Sequence, residues 1–167
     1  MKKITIKGKH NNDMFNKTEK KALRQNIKYD EPSYEEQVKL INKYFLEQED
    51  NMKPFITKEL DSKIYGYKAQ DNKKQLECIL INREEIVEKL LVSRLLCNYC
   101  RGKVKILFEE VRDNSQWTLD RIDNNIGHSK ENTVICCLKC NLERRRLDSE
   151  KFRFTKQLRI KKTDQNF

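Results

Sequence analysis

The sequence predicts an α+β protein in which an N-terminal helical arm precedes a small β-β-α unit and a basic C-terminal helical tail. Three observations indicate this architecture: capped helical segments lie in the first half, short β-branched runs lie in the second half, and two C-x-x-C pairs flank those runs. A chain of 167 residues suffices for one compact domain with an attached arm. We therefore divide it into residues 1–16, 17–94, 95–147 and 148–167.

The arm begins with a polar segment and continues into a capped helix. Residues 1–16 are rich in Asn and Lys and have no hydrophobic periodicity, which predicts a flexible basic tail. Ser33 and Glu36 have the spacing of a capping box, in which each residue's side chain bonds the other's backbone N–H. The apolar positions that follow predict a helix over about residues 34–48.

The rest of the arm divides into a connection and a second helix. Residues 51–75 contain Pro54 and Gly66, which predict a mixed connection, with or without a short helix. Asn82 with Glu85 repeats the capping-box spacing and opens a helix that runs into the first cysteine pair.

Short β-branched runs dominate the second half. Residues 104–108, 117–122 and 133–136 each predict a short strand. Residues 138–147 predict a basic helix, and another is expected over about 149–160. This part of the chain therefore supplies the small β-β-α unit and its tail.

The charge distribution favours a polyanionic partner. The chain has a formal net charge of +10, and residues 139–162 hold ten basic and three acidic side chains. Such an excess of positive charge raises the local concentration of phosphate groups. No apolar run approaches the roughly 18 residues of a membrane span, and the N-terminus lacks the apolar core of a secretory signal. We expect an intracellular protein without a membrane partner.

Four cysteines have the spacing of a structural zinc site. Two C-x-x-C turns, each able to present two thiolates to one metal, are separated by 36 residues and comprise Cys97, Cys100, Cys137 and Cys140. Four thiolates occupy all four coordination positions of a tetrahedral zinc ion, so this metal would not take part in catalysis. Two disulfides or four unrelated thiols are the alternatives, which the absence of a secretory signal disfavours. Cys78 and Cys136 are expected to be small buried side chains without a role.

The segment between and around these turns resembles a known enzyme family. Residues 117–141 read WTLDRIDNNIGHSKENTVICCLKCN, with an Asp on a strand, a G-H turn, and an Asn five residues before a C-x-x-C-N turn. This pattern resembles the zinc-containing HNH (His-Me finger, ββα-metal) endonucleases, including those of large DNA viruses. The resemblance covers about residues 95–147 and implies a zinc-stapled ββα-metal unit that hydrolyses DNA phosphodiester bonds with low sequence specificity.

The resemblance also implies roles for individual residues. The strand aspartate and the helix asparagine of the family bind a catalytic Mg²⁺ or Mn²⁺, and they correspond to Asp120 and Asn141. The middle asparagine, Asn132, would brace the intervening loop. A carboxylate and an amide oxygen are suitable ligands for such a cation, which stabilises the charge that develops on the scissile phosphate.

One position departs from the family pattern. The family's general base is a histidine directly after the metal-binding aspartate, where this chain has Arg121, which cannot accept a proton. His128 and Asp123 are the candidates to replace it, with a solvated turn histidine and a turn-capping aspartate as the alternatives. Arg121 itself has the planar fork that suits a phosphate group.

The basic run that begins at Arg144 supplies the expected nucleic-acid contacts, and the sequence is compatible with three functions. We expect Arg144, Arg145, Arg146 and Lys151 to contact double-stranded DNA. The chain would then be a metal-dependent endonuclease or, because of Arg121, a catalytically inactive nucleic-acid-binding protein on the same scaffold. The third hypothesis is an adaptor in which residues 17–94 bind a protein partner.

Overall fold

The computed structural model describes residues 23–24 and 27–158, so the expected tail over residues 1–16 lies outside the described part. The elements, in chain order, are α1 Tyr34–Phe45, α2 Lys53–Lys74, α3 Arg83–Val92, β1 Trp117–Arg121, β2 Thr133–Cys137, α4 Leu138–Arg144 and α5 Ser149–Gln157. Helices and a small two-stranded sheet are therefore combined, as the sequence predicts.

The capping boxes start two helices where the sequence places them. Ser33 accepts a hydrogen bond from the backbone of Glu36 at the start of α1, and Asn82 accepts one from Glu85 at the start of α3. Both helices also have their reciprocal glutamate bond. Each helix ends a few residues earlier than its apolar pattern suggests.

The prediction of a mixed connection over residues 51–75 is wrong, because α2 is a helix of 22 residues. Pro54 lies in its first turn, where an α-helix does not use the backbone N–H. Ile56, Leu60 and Tyr67 are buried along the helix and hold it against the rest of the molecule. Gly66 lies inside this helix, where a glycine costs roughly 1 kcal/mol of stability relative to alanine. The packing of the three buried side chains offsets this cost.

The sheet has two antiparallel strands, in which Trp117 pairs with Cys137 and Asp120 with Val134. The expected strand over residues 104–108 is not formed. The backbone N–H groups of Ile106 and Leu107 instead donate to the Gln37 side chain, at 2.7 and 3.1 Å. The Gln37 side chain thus accepts hydrogen bonds that these N–H groups would otherwise donate to a neighbouring strand.

The helical arm (α1, α2 and α3) and the ββα unit (β1, β2 and α4) share one hydrophobic core. Ile41, Leu60 and Leu90 of the helices belong to the same buried cluster as Trp117 and Ile135 of the sheet. The arm is therefore packed onto the unit as part of one structure.

The two C-terminal helices are shorter than predicted. Helix α4 ends at Arg144, and Arg145 follows with a positive φ of 51°. Helix α5 ends at Gln157, and residues 159 and 160 of the expected helix lie outside the described part of the chain. None of the described helices has the length and apolar character needed to cross a membrane.

Candidate metal centre and nucleic-acid interface

The two C-x-x-C turns meet in space and form a candidate metal centre. The sulfur atoms of Cys97, Cys100, Cys137 and Cys140 all lie within 4.8 Å of one another. None of the four forms a disulfide. Backbone N–H groups donate to two of the sulfurs at 3.4 Å, from Gly102 to Cys100 and from Cys140 to Cys137. The cluster could hold a metal ion such as zinc and would leave it no open position for chemistry.

The two remaining cysteines lie outside this cluster. Cys136 is buried and in contact with the Thr118 hydroxyl, as expected for a small core residue, and burial raises the pKa of its thiol. Cys78 is exposed, so the expectation that it is buried is wrong. It lies in an irregular segment after α2, with its Sγ 3.8 Å from Asp71 Oδ2.

Asp120 lies in a buried ion pair with Arg144. The arginine donates through Nε to Asp120 Oδ2 and through Nη2 to Oδ1, the latter at 2.9 Å. The hydroxyl of Tyr99 donates to the same carboxylate at 2.5 Å. Arg144 also donates to the carbonyl oxygens of Arg121 and Leu147, at 2.5 and 2.6 Å. Both charged groups are therefore fixed in a buried hydrogen-bond network.

This network does not fit the expected Mg²⁺ or Mn²⁺ site. Both carboxylate oxygens of Asp120 are held by a guanidinium group, whose charge repels a divalent cation. Among the described residues, the four cysteines form the only group of three or more His, Cys, Asp and Glu ligands close enough to hold a metal. Arg144, which the sequence predicts to contact phosphate, has a side chain that is only 1% exposed and is paired with Asp120.

The two asparagines make different hydrogen bonds. Asn132 accepts from the backbone N–H of Asp123 at 2.9 Å and donates to the carbonyl oxygens of Asp123, Ile126 and Gly127, at 2.9–3.1 Å. These bonds close the loop between the strands. Asn141 donates to Thr118 Oγ1 and to the Leu119 carbonyl, both at 3.1 Å, and so fastens α4 to β1.

His128 is paired with an aspartate of the arm. Its Nδ1 lies 2.7 Å from Asp71 Oδ1, and its backbone N–H donates to Asp71 Oδ2 at 2.7 Å. The ring stacks on Tyr67 with 4.6 Å between centroids. Because the carboxylate accepts the Nδ1 proton, Nε2 becomes the acceptor nitrogen of the neutral ring. The sequence did not indicate Asp71, which lies 57 residues away in a segment predicted as a connection.

We expect His128 to be mainly neutral at pH 6.5. Burial lowers the pKa of His128 below its ordinary value, and the hydrogen bond to Asp71 opposes part of this shift. The unfolded chain therefore binds the proton more readily, so the contribution of this group to folding stability is present above about pH 6.5 and is lost as the pH falls below it. A ring-proton NMR titration measures this directly. A midpoint above 6.5 for His128 would contradict the assignment, and His10→Gln identifies the second histidine signal.

Arg121 and Asp123 have contrasting environments. The Arg121 side chain is 8% exposed, and Nη1 lies 3.9 Å from Asp71 Oδ1. Its guanidinium makes no hydrogen bond to the described residues. Asp123 is exposed and accepts a hydrogen bond from the backbone of Asn125 at 2.9 Å, which is the turn-capping arrangement.

Most of these groups line a cleft between α2 and the ββα unit. One wall is a face of α2 with Lys63, Gly66, Gln70 and Lys74, and the opposite wall is formed by the end of β1, the loop after it, and the end of α4. The charged residues that line it are Lys63, Lys74, Arg121, Arg144, Arg145, Arg146, Asp120, Asp123 and Asp148. Six cations against three carboxylates give the lining a net charge of +3. Lys151 is exposed but does not line the cleft.

Gly127 lets the loop approach the arm closely. A Cβ atom at this position would overlap Cys78 Sγ and lie 2.9 Å from Asp71 Oδ2. We expect Gly127→Ala to destabilise the fold by roughly 1–3 kcal/mol and to disturb the His128 pairing. Gly66→Ala is the matched control, since nothing lies within 4 Å of its added Cβ, and it should raise stability by about 0.5–1 kcal/mol. Urea unfolding measures both effects, and equal stability of the two variants would contradict this packing.

No protein-family model, no curated protein and no solved structure matches this chain.

Proposed function

We propose that this chain is a zinc-stapled nucleic-acid-binding protein on an HNH-like scaffold, which holds the backbone of double-stranded DNA in the cleft between α2 and the ββα unit. One observation carries the proposal: Arg144 neutralises Asp120, while Arg121, Arg145 and Arg146 line the same cleft without a hydrogen-bonded carboxylate among the described residues. The cleft therefore favours phosphate groups over divalent cations.

The same arrangement supports binding without strong sequence preference. Arg145 and Arg146 are exposed at the rim of the cleft, where they can reach phosphates on the surface of a duplex. Contacts of this kind release counterions, so affinity falls steeply as salt is raised. Phosphate contacts position a protein on DNA but carry no sequence information.

Salt-dependent binding of a labelled duplex to the full, zinc-loaded chain tests the proposal. Fluorescence anisotropy should give a double variant, Arg145→Ser with Arg146→Ser, a weaker affinity and a slope of log K against log salt that is smaller by about 2. Lys139→Ser is the control, because Lys139 is exposed outside the cleft. If the control loses as much affinity as the double variant, binding does not depend on the cleft.

A metal-dependent endonuclease is the second candidate, and the pairing of His128 with Asp71 favours it. An imidazole whose Nδ1 proton is held by a carboxylate presents Nε2 as a base, and His128 lines the cleft. In that role His128 would take a proton from the attacking water while Arg121 faces the phosphate. Asp120 would have to be released from Arg144 before it could ligate a metal.

Nicking of supercoiled plasmid separates the two candidates. The wild type is incubated with Mg²⁺ or Mn²⁺, beside an EDTA control and the variants His128→Ala and Asp120→Ala. The binding proposal predicts that the plasmid is retained on a gel without being cut. Nicking that needs the metal and is lost in His128→Ala would establish the endonuclease instead.

A further inference from the structure

The guanidinium of Arg121 is buried and makes no hydrogen bond to the residues that the structure describes. Its side chain is 8% exposed, and Nη1 is fully buried without a partner in the described part of the chain. A guanidinium carries five N–H donors, and a buried donor that is left unpaired destabilises the fold. The arrangement is therefore unfavourable unless another group accepts these bonds.

The neighbouring carboxylates are committed elsewhere. Asp71 Oδ1 lies 3.9 Å from Arg121 Nη1, beyond hydrogen-bond distance, and is occupied by the His128 ring at 2.7 Å. Asp120, the preceding residue, is held on both oxygens by Arg144. Two acidic residues thus lower the electrostatic cost of burying Arg121 but leave its donors unused.

The other nitrogens of Arg121 are not fully buried. Of the Arg121 nitrogens, only Nη1 is both fully buried and unpartnered, and the residue lines the cleft between the arm and the ββα unit. The imidazole of His128 lines the same cleft, and its Nε2 makes no hydrogen bond to a described residue. Asp71 fixes His128 and lies beside Arg121, so the arm positions both groups.

We infer that Arg121 forms an anion subsite at the base of the cleft that receives one phosphate group of the bound nucleic acid. The inference rests on the proposed function, because the nucleic acid supplies the phosphate, either as an internal phosphodiester or as a strand terminus. A planar guanidinium matches two phosphate oxygens at once, which a lysine cannot do. Arg121 would thus be a buried anchor, distinct from the exposed contacts of Arg145 and Arg146.

Arginine side-chain NMR tests the subsite directly. The ¹⁵N-labelled, zinc-loaded full chain is titrated with inorganic phosphate while the Nε–H signals are followed. We expect the signal missing from Arg121→Gln to shift at lower phosphate concentrations than the signal missing from the control Arg146→Gln. In calorimetric titration with inorganic phosphate, Arg121→Lys should bind about tenfold more weakly than the wild type, since it loses the two-pronged hydrogen bonds. Circular dichroism and zinc content establish that the variants remain folded.

Two outcomes would overturn the subsite. One is that phosphate shifts only the signals of exposed arginines, and the other is that Arg121→Lys binds phosphate as tightly as the wild type. Comparison of a 5′-phosphorylated oligonucleotide with its unphosphorylated form then distinguishes the sources. A preference that Arg121→Lys abolishes indicates a strand terminus, and equal Arg121-dependent binding of both forms indicates an internal phosphodiester.

Failure of the proposed function and failure of the Arg121 subsite give different results. If the wild type binds no oligonucleotide but phosphate still shifts the Arg121 signal, the subsite stands and the nucleic-acid proposal fails. If oligonucleotides bind with the predicted salt dependence while Arg121→Lys is unaffected, the proposed function stands and the subsite is wrong.

Discussion

Replacing Cys140 with serine is expected to remove the bound metal and abolish cooperative folding of the ββα unit. Cys97 and Cys100 follow α3, whereas Cys137 ends β2 and Cys140 lies in α4, so one ion bound by all four would connect two distant parts of the chain. Structural zinc contributes roughly 10–16 kcal/mol of apparent binding free energy, which is as large as the whole stability of a typical domain. Few other single changes in this chain should have a comparable effect.

Zinc content and thermal unfolding followed by circular dichroism measure this effect. The wild type should contain one zinc per chain and unfold cooperatively, whereas Cys140→Ser should contain none and show no sharp transition. Cys78→Ser is the matched control, because Cys78 is exposed and outside the cluster. A Cys140→Ser variant with the melting curve of the wild type would refute a structural metal.

Replacing Asp120 with asparagine is expected to lower the free energy of unfolding by about 3–5 kcal/mol. The substitution leaves the Arg144 guanidinium buried without its counter-charge, and breaking a buried ion pair on one side typically costs this much. A double variant, Asp120→Asn with Arg144→Met, should recover part of the lost stability because it removes the buried charge that has no partner. Urea unfolding in the absence of Mg²⁺ measures all three proteins.

The same experiment separates a structural aspartate from a metal ligand. If Asp120 served mainly to bind Mg²⁺, Asp120→Asn would be about as stable as the wild type in metal-free buffer. Asp123→Asn is the control for a nearby aspartate, since Asp123 is exposed and caps a turn. A loss below about 1 kcal/mol in Asp120→Asn would contradict the ion pair as a stabilising element.

Local signals in the sequence predicted the features that depend on neighbouring residues. Ser33 and Asn82 start helices because their capping partners lie three residues away. The strand predicted over residues 117–122 corresponds to β1, which ends one residue earlier, because the residues that favour it are contiguous in the chain. The C-x-x-C spacing likewise predicted which four cysteines come together in one cluster.

Long-range contacts account for what the sequence did not predict. Asp71 acquires its importance only when α2 brings it against His128, and no spacing rule links the two. Three consecutive arginines on a helix cannot all face one groove, but no local signal indicates that Arg144 is the one that pairs with Asp120. The strand expected at residues 104–108 was lost because Gln37, about 70 residues earlier, takes its backbone hydrogen bonds.

Hydrogen exchange with and without a DNA duplex most directly tests whether the cleft between α2 and the ββα unit binds nucleic acid. The full, zinc-loaded chain should gain protection on both walls of the cleft, over residues 62–74, 119–128 and 141–148. Residues 101–105, which lie outside the cleft lining, should exchange unchanged. Protection that spares both walls while the duplex is bound would contradict the account.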